Sequence, residues 1–139
     1  MTTKYFFTRV RSRLAMLVII PLFLTASSFI PATTIDIQVS PNVLNLINQG
    51  QWVTVHTDIA FGLVSASSVY LNGVLIHSWK SDLRGNFVAK FLMSEVKALD
   101  MNMGELNTLT LVGTSAIGDF WGSQDIKVIE VVPVKTGKD

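Results

Sequence analysis

The sequence contains no cysteine, which excludes disulfide bonds, thiolate nucleophiles, cysteine-based metal sites and a lipid-modified cysteine. Histidine is nearly as scarce, with two residues in 139, and only 15% of the residues are charged. Because no covalent cross-link is available, a stable domain must be held by core packing, and 49% of the residues are hydrophobic. These absences exclude thiol catalysis and a disulfide scaffold.

The basic residues are concentrated at the start of the chain. Four of the eleven Lys and Arg residues precede residue 28, whereas none of the ten Asp and Glu residues do. The rest of the chain therefore carries seven basic and ten acidic side chains, a net charge of −3. A weakly acidic domain of about 110 residues has no electrostatic surface for nucleic acid, which excludes that class of partner.

The order of residues at the N-terminus is typical of an export signal. Four basic residues are followed by an apolar run over residues 14–24 and then by a small, polar patch. This pattern predicts a signal helix over residues 1–28, cleaved after Ser28 or after Ala26. Alternatively, residues 14–32 remain as an uncleaved membrane anchor. The protein is then exported to the periplasm or the extracellular space, free in the first case and tethered in the second.

The remaining chain has the pattern of an all-β domain. After a spacer over residues 29–34, short β-rich runs alternate with turn signals every 8–12 residues or so through residues 35–133. Seven or eight antiparallel strands in an immunoglobulin-like sandwich fit this spacing, with a small barrel as the alternative. Residues 94–99 predict one short helical turn. The polar tail, residues 134–139, is expected to fray.

Local patterns predict several details of the strands. Residues 52–59 alternate, with an apolar set on one face and a wetter set containing Trp52 and His56 on the other. The Asn72-Gly73 pair separates the apolar runs 69–71 and 74–79, which predicts a hairpin with a type I′ turn. Residues 60–68 are rich in Gly, Ser and Ala and predict a loop. The Gly122-Ser123 pair suggests a β-bulge in the last strand.

The succession of strand cores and turns resembles a known family. The matching segments are IDI at 35–37, LNL at 44–46, GQWVTV at 50–55, LNG at 71–73, VAKF at 88–91, LTL at 109–111 and GSQDIKVI at 122–129. Together they resemble the immunoglobulin-like modules of exported bacterial and archaeal proteins, which are often appended to larger surface proteins. The resemblance implies an immunoglobulin-like sandwich, and it implies no catalytic motif and no shared ligand site.

No residue pattern predicts catalysis or a cofactor. His56, His77 and Asp58 are candidate ligands for a divalent metal, but their spacing is not that of a His-x-His site. Asp119 and Asp125 are candidate loop ligands for calcium, without a spacing motif. No serine lies in a Gly-x-Ser-x-Gly turn. The sequence therefore predicts a protein that is not an enzyme and holds no cofactor or metal.

The aromatic residues are the candidates for a binding surface. Because side chains alternate along a strand, one residue of Trp52-Val53 and one of Phe120-Trp121 must point outward. We take Trp79 and Trp121, together with the loop over residues 60–68, as candidate partner contacts, since exposed rings are typical of interfaces.

The predicted function is that of a non-enzymatic exported module that binds another protein or gives structural support in or outside the cell envelope. Two alternatives remain open. One is an accessory subunit of an envelope complex, anchored in the membrane by the uncleaved N-terminal segment. The other is a small carbohydrate-binding module whose outward tryptophans stack on sugar rings.

Overall fold

The structure, a computed structural model, describes residues 30–132, and the predicted signal segment and the tail beyond residue 133 lie outside this range. Its regular elements are two short helical turns and ten strands. The helical turns are a 3₁₀ turn, Phe61–Leu63, and the helix α1, Met93–Lys97. The strands are β1 Thr33–Thr34, β2 Ile37–Ser40, β3 Val43–Asn45, β4 Trp52–Ala60, β5 Val64–Leu71, β6 Val74–Leu75, β7 Ser78–Ser81, β8 Asn86–Leu92, β9 Leu106–Ser115 and β10 Gly118–Ile129.

The strands form two sheets that enclose one apolar core. Sheet A has the order β1-β10-β9-β5-β6, with β3 also paired to β10, and sheet B has the order β2-β4-β8-β7. Both sheets contribute fully buried side chains, among them Phe87 and Phe91 from sheet B and Phe120 from sheet A. Since no disulfide joins the sheets, this packing holds them together. The predicted all-β sandwich is confirmed.

Both lateral edges of the sandwich are covered by strands that change sheet. On one side the chain runs from β1 in sheet A to β2 in sheet B and back to β3 in sheet A. On the other side β6 ends sheet A, and β7, two residues further on, ends sheet B. These edge strands are two to four residues long. Short edges offer few free backbone groups, so addition of a partner strand at an edge is disfavoured.

Several local predictions are confirmed. Along β4 the burial alternates strictly, with Val53 and Val55 buried and His56 exposed on the other face. The β5–β6 hairpin turns at Asn72 and Gly73, whose φ values of 45° and 83° match a type I′ turn. The predicted helical turn is present as α1, whose Val96 is buried in the core.

Other details were wrong. The predicted strand over residues 74–79 is two strands, β6 and β7, in different sheets. With further short strands such as β1, the described region contains ten strands rather than seven or eight. The predicted loop over residues 60–68 is the end of β4, the 3₁₀ turn and the first half of β5. The spacer over residues 29–34 contains β1.

The predicted bulge at Gly122-Ser123 is also wrong, because β10 keeps an unbroken register with β9 from Gly118 to Lys127. Gly122 instead allows the neighbouring segment of chain, around Ile35, to pass close to β10. A Cβ atom at this position would lie 2.5 Å from the carbonyl oxygen of Ile35 and 2.9 Å from Ile37 Cγ2. The same stretch of chain is fixed to β10 by the backbone N–H of Ile35, which donates to the carbonyl oxygen of Trp121 at 2.8 Å.

Gly122→Ala should therefore lower the free energy of unfolding by about 1–3 kcal/mol, since the added methyl group must displace backbone. Urea denaturation measures this change. Gly62→Ala is the matched control, because no atom lies within 4 Å of its new Cβ, and it should change stability by no more than about 0.5 kcal/mol. Equal effects of the two substitutions would contradict this packing of Ile35 against β10.

Candidate functional site

A row of exposed apolar side chains crosses the outer face of sheet A. We call this row the aromatic stripe, and its members are Trp121 on β10, Val112 on β9, Tyr70 on β5 and Leu75 on β6. The register pairs them in sequence across the sheet, Trp121 with Val112, Val112 with Tyr70, and Tyr70 with Leu75. Each is between 40% and 50% exposed. Directly paired side chains lie about 5 Å apart, so the four form one continuous surface.

The alternation of each strand forces these side chains outward. Phe120, the neighbour of Trp121, is 1% exposed, and the neighbours Leu111 and Leu71 are fully buried. The inner side of the sheet is closely packed at the same level, because Gly113 faces the Phe120 ring and has no room for a Cβ. The inward residues therefore fix the stripe in place, since turning Trp121 inward would take Phe120 out of the core.

Hydroxyl and carboxylate groups border the stripe on both sides. On one side the Thr114 hydroxyl donates to Asp119 Oδ1 at 3.1 Å. On the other side lie Ser123 and Thr110, and beyond them the Thr108 hydroxyl donates to Asp125 Oδ1 at 2.6 Å. The outer face of sheet A therefore has an apolar centre and a polar, weakly acidic rim.

Side-chain hydrogen bonds hold the strand that carries Tyr70, and the turn that follows it, against β9. Asn72 Oδ1 accepts from the Thr110 backbone N–H at 2.7 Å, and its amide nitrogen donates to the Thr108 carbonyl at 3.1 Å. In the middle of β5, the Ser68 hydroxyl accepts from the Thr114 backbone N–H at 2.9 Å. These bonds fix the hairpin turn and the middle of β5 to β9, so the stripe is largely preorganised.

The stripe ends at a shallow depression beside the start of the described chain. Its lining includes Ala32, Thr114 and Asp119 together with the side of Trp121. Thr34 on β1 pairs with Trp121, so β1 limits the depression on its outer side. Because of this depression, the Trp121 ring is accessible from its side as well as from the outer face of sheet A.

The two tryptophans predicted as contacts do not share a surface. Trp79 lies on β7, the edge strand of sheet B, and pairs with the buried Ala89, so it points toward the inner side of that edge. It is exposed there, as Trp121 is on the other sheet. Of the predicted contact loop over residues 60–68, Ser65 pairs with Thr114 beside the stripe, whereas Phe61 stacks near Phe87 at 6.2 Å.

Sequence analysis missed three of the four stripe residues. Val112, Tyr70 and Leu75 each lie in a strand that alternation identifies, and alternation alone places each opposite a buried neighbour. What the sequence lacks is the register between strands, which decides that the three lie in one row with Trp121. The only available signal was the short hairpin turn, which pairs Tyr70 with Leu75.

The candidate metal ligands do not converge. Within residues 30–132 no group of three or more His, Cys, Asp or Glu side chains is placed to hold a metal ion. Asp119 and Asp125 lie on the same strand six residues apart, which is about 20 Å. The two histidines are also apart. The His77 ring lies against Trp52, with ring centroids 4.9 Å apart, whereas His56 is four residues beyond Trp52 on β4.

A second, polar depression lies at one end of sheet B. Its lining includes His56, Asp58 and Asp82. Asp82 Oδ1 accepts from the backbone N–H groups of Arg84 and Asn86, and Asp58 Oδ1 accepts from that of Asp36. Two of its carboxylates therefore accept hydrogen bonds from backbone N–H groups.

Among the residues that the structure describes, 30–132, no helix is long and apolar enough to cross a membrane.

Adjacent residues of β10 should respond in opposite ways to truncation. Phe120→Ala should cost about 3–5 kcal/mol of unfolding free energy, because it empties a buried site. Trp121→Ala should cost less than about 1 kcal/mol, because the ring stands on the outer face. Chemical denaturation of both variants tests the placement. A destabilisation by Trp121→Ala as large as that of Phe120→Ala would show that the ring belongs to the core.

Comparison of the chain with protein-family models, curated proteins and solved structures gives no match. The functional interpretation therefore depends on the geometry of this chain alone. Its most distinctive surface feature is the aromatic stripe with its polar rim.

Proposed function

We propose that this chain is a non-enzymatic, exported immunoglobulin-like module that binds another protein of the cell envelope through the outer face of sheet A. The aromatic stripe is the observation that carries the proposal. Binding is by surface complementarity, with Trp121 and Tyr70 as the principal contacts and the hydroxyl and carboxylate groups of the rim excluding water around them.

The order of the strands supports the immunoglobulin-like assignment. Sheet B, β2-β4-β8-β7, follows the A-B-E-D order of that fold, and β10-β9-β5 in sheet A follow its G-F-C order. β6 takes the position of an additional strand beside C, and β3 runs parallel to β10 as a second part of the first strand. A packed core without a disulfide replaces the covalent link of antibody domains.

The composition of the stripe supports a protein partner. Tyrosine and tryptophan are enriched at the centres of protein interfaces, and both occur here beside aliphatic side chains. Across four strands the stripe is about 14 Å long, which is the size of an interface centre rather than of a whole interface. The charged rim groups nearest the stripe are Asp119 and Asp125, so a complementary partner presents an apolar centre with neutral or basic neighbours.

A carbohydrate ligand is the competing occupant of the same surface. Trp121 with adjacent threonine hydroxyls and Asp119 offers a ring for stacking and groups that bind sugar hydroxyls. Of the two aromatic rings in the stripe, only Trp121 has these polar neighbours, because Tyr70 is flanked by Val112 and Leu75. The mixed aromatic and aliphatic row therefore favours protein, and specific Trp121-dependent binding on a glycan array would instead assign a sugar ligand.

Photo-crosslinking in the native envelope tests the proposal. A benzophenone amino acid at Val112 should yield a discrete adduct with one envelope protein, since this position is at the centre of the stripe. The same amino acid at His56, exposed on the outer face of sheet B, should yield little or none. Trp121→Ala combined with the Val112 probe should reduce the adduct, and equal adducts from both faces would contradict the assignment.

Once the partner is captured, its affinity gives a quantitative test. Trp121→Ala should weaken binding by about 30-fold or more, the loss typical of a central aromatic contact. Trp79→Ala is the matched control, because this tryptophan is similarly exposed but lies on the other sheet. Equal losses from the two variants, or a loss from Trp79→Ala alone, would overturn the choice of face.

A further inference from the structure

The β5–β6 turn holds the single Asn-Gly pair of the sequence, because Asn72 is the one asparagine of seven that precedes a glycine. Both residues have a positive φ, 45° at Asn72 and 83° at Gly73, and a Cβ built on Gly73 meets no atom within 4 Å. Glycine leaves its own backbone nitrogen without the steric cover of a side chain. Of the residues that follow an asparagine in this chain, Gly73 therefore offers the least hindered nucleophile.

An asparagine before a glycine can convert without an enzyme, and asparagine is one of the thermolabile residues. The backbone nitrogen of Gly73 loses its proton to a base and attacks Cγ of Asn72. A C–N bond forms and closes a five-membered succinimide ring, the C–N bond of the carboxamide breaks, and ammonia leaves with a proton returned by the solvent. Water then opens the ring at either carbonyl, which gives aspartate or isoaspartate at position 72 and adds a negative charge.

Hydrogen bonds in the folded chain keep the two reacting atoms apart. Asn72 Oδ1 accepts from the backbone N–H of Thr110 at 2.7 Å, and its amide nitrogen donates to the carbonyl oxygen of Thr108 at 3.1 Å. Both polar atoms of the carboxamide are therefore held on β9, at one edge of β5. Gly73 leads into β6, which lies at the other edge of β5. The carboxamide is thus directed away from the Gly73 nitrogen, and the ring cannot close while these bonds are intact.

The turn lies in a part of the fold that opens more easily than the core. β6 is a two-residue strand at the end of sheet A, joined to β5 by the pairs Tyr70–Leu75 and Leu71–Val74. The register of β5 with β9 is also interrupted, between Ser65 and Tyr70. Opening of such an edge hairpin requires less free energy than global unfolding. Asn72 therefore reaches a reactive geometry while most of the sandwich stays folded.

Either product damages the turn. An aspartate can still accept from Thr110, but it cannot donate to the Thr108 carbonyl, and it brings a charged oxygen beside the residue whose hydroxyl already donates to Asp125. An isoaspartate places an extra methylene group in the backbone of a two-residue turn, whose φ values are set for two ordinary residues. In both cases Tyr70 and Leu75 lose the turn that pairs them.

We propose that Asn72-Gly73 is a modification site, at which deamidation is blocked in the closed β5–β6 hairpin and proceeds when the hairpin opens. The chemistry depends on the turn alone. Its consequence for binding rests on the proposed function, because Tyr70 and Leu75 form half of the aromatic stripe. The site then limits the working lifetime of the binding face, since each opening exposes Asn72 to a reaction that closing the hairpin does not reverse.

Incubation of the purified full chain at mildly alkaline pH tests the site, because base promotes removal of the Gly73 proton. One sample is kept in native buffer and the other in guanidinium chloride. Peptide mass spectrometry locates each exchange of an amide NH₂ for OH, and an isoaspartyl methyltransferase quantifies isoaspartate. The other asparagines are internal controls. Gly73→Ala in guanidinium chloride tests the nucleophile, and Gly62→Ala is its matched control, because Gly62 follows a phenylalanine.

In guanidinium chloride Asn72 should react about tenfold or more faster than any other asparagine, and Gly73→Ala should remove most of this difference, whereas Gly62→Ala should not. In native buffer Asn72 should react about tenfold or more slowly than in guanidinium chloride, the ratio given by an opening free energy of about 1.4 kcal/mol or more. Equal rates for Asn72 in the two samples would overturn the proposal. A rate in guanidinium chloride no higher than that of the other asparagines would overturn it as well.

The structural consequence is measured on the deamidated chain, which ion exchange separates by its added negative charge. Its amide NMR signals at Tyr70, Leu75 and Val112 should shift or broaden relative to the parent chain, whereas those of β2 and β4 in sheet B should stay in place. Unchanged signals at Tyr70 and Leu75 would show that the stripe survives the reaction and would overturn this part of the proposal. A captured partner that binds both forms equally would instead contradict the proposed contact surface and leave the modification site standing.

Discussion

The fold depends on the pairing of β10 on both of its edges. This twelve-residue strand pairs with β9 through ten successive residue pairs, and its other edge pairs with β1 near one end and β3 near the other. As the last strand, β10 therefore pairs with two of the first strands, β1 and β3, as well as with β9, and this pairing closes one side of the sandwich. Gly122 is the residue that permits this closure, because the neighbouring chain at Ile35 crosses where a side chain would stand.

The same strand links the core to the candidate binding surface. Its inward residues Phe120, Ile126 and Val128 are fully buried, and its outward residues form the centre and the rim of the outer face of sheet A. A shift of β10 by one residue would exchange the two sets. The register that buries Phe120 thus also places Trp121 opposite Val112. In the proposed function, core packing supplies the rigidity that a preorganised binding face requires.

The sequence predicted those features that depend on neighbouring residues. Alternation placed Val53 and Val55 inward, and Asn72-Gly73 fixed a hairpin through its own backbone preferences. It did not predict that residues 74–79 change sheet or that Gly122 serves a close approach, since both depend on parts of the chain distant in sequence. The aromatic stripe depends both on neighbouring residues and on parts of the chain distant in sequence. Alternation required one residue of the Phe120-Trp121 pair to point outward, but the row of Trp121 with Val112 and Tyr70 required the register between strands.

The accessibility of the two outer faces in living cells tests the central claim most directly. In cells that make this protein, single cysteines at Val112 and at His56 are exposed to a membrane-impermeant maleimide, and the labelling rates are compared with those of the purified chain. If the outer face of sheet A is a binding surface, Val112→Cys labels much more slowly in cells than in the purified protein. His56→Cys labels at similar rates in both. Equal rates for Val112→Cys in cells and in purified protein would contradict the account.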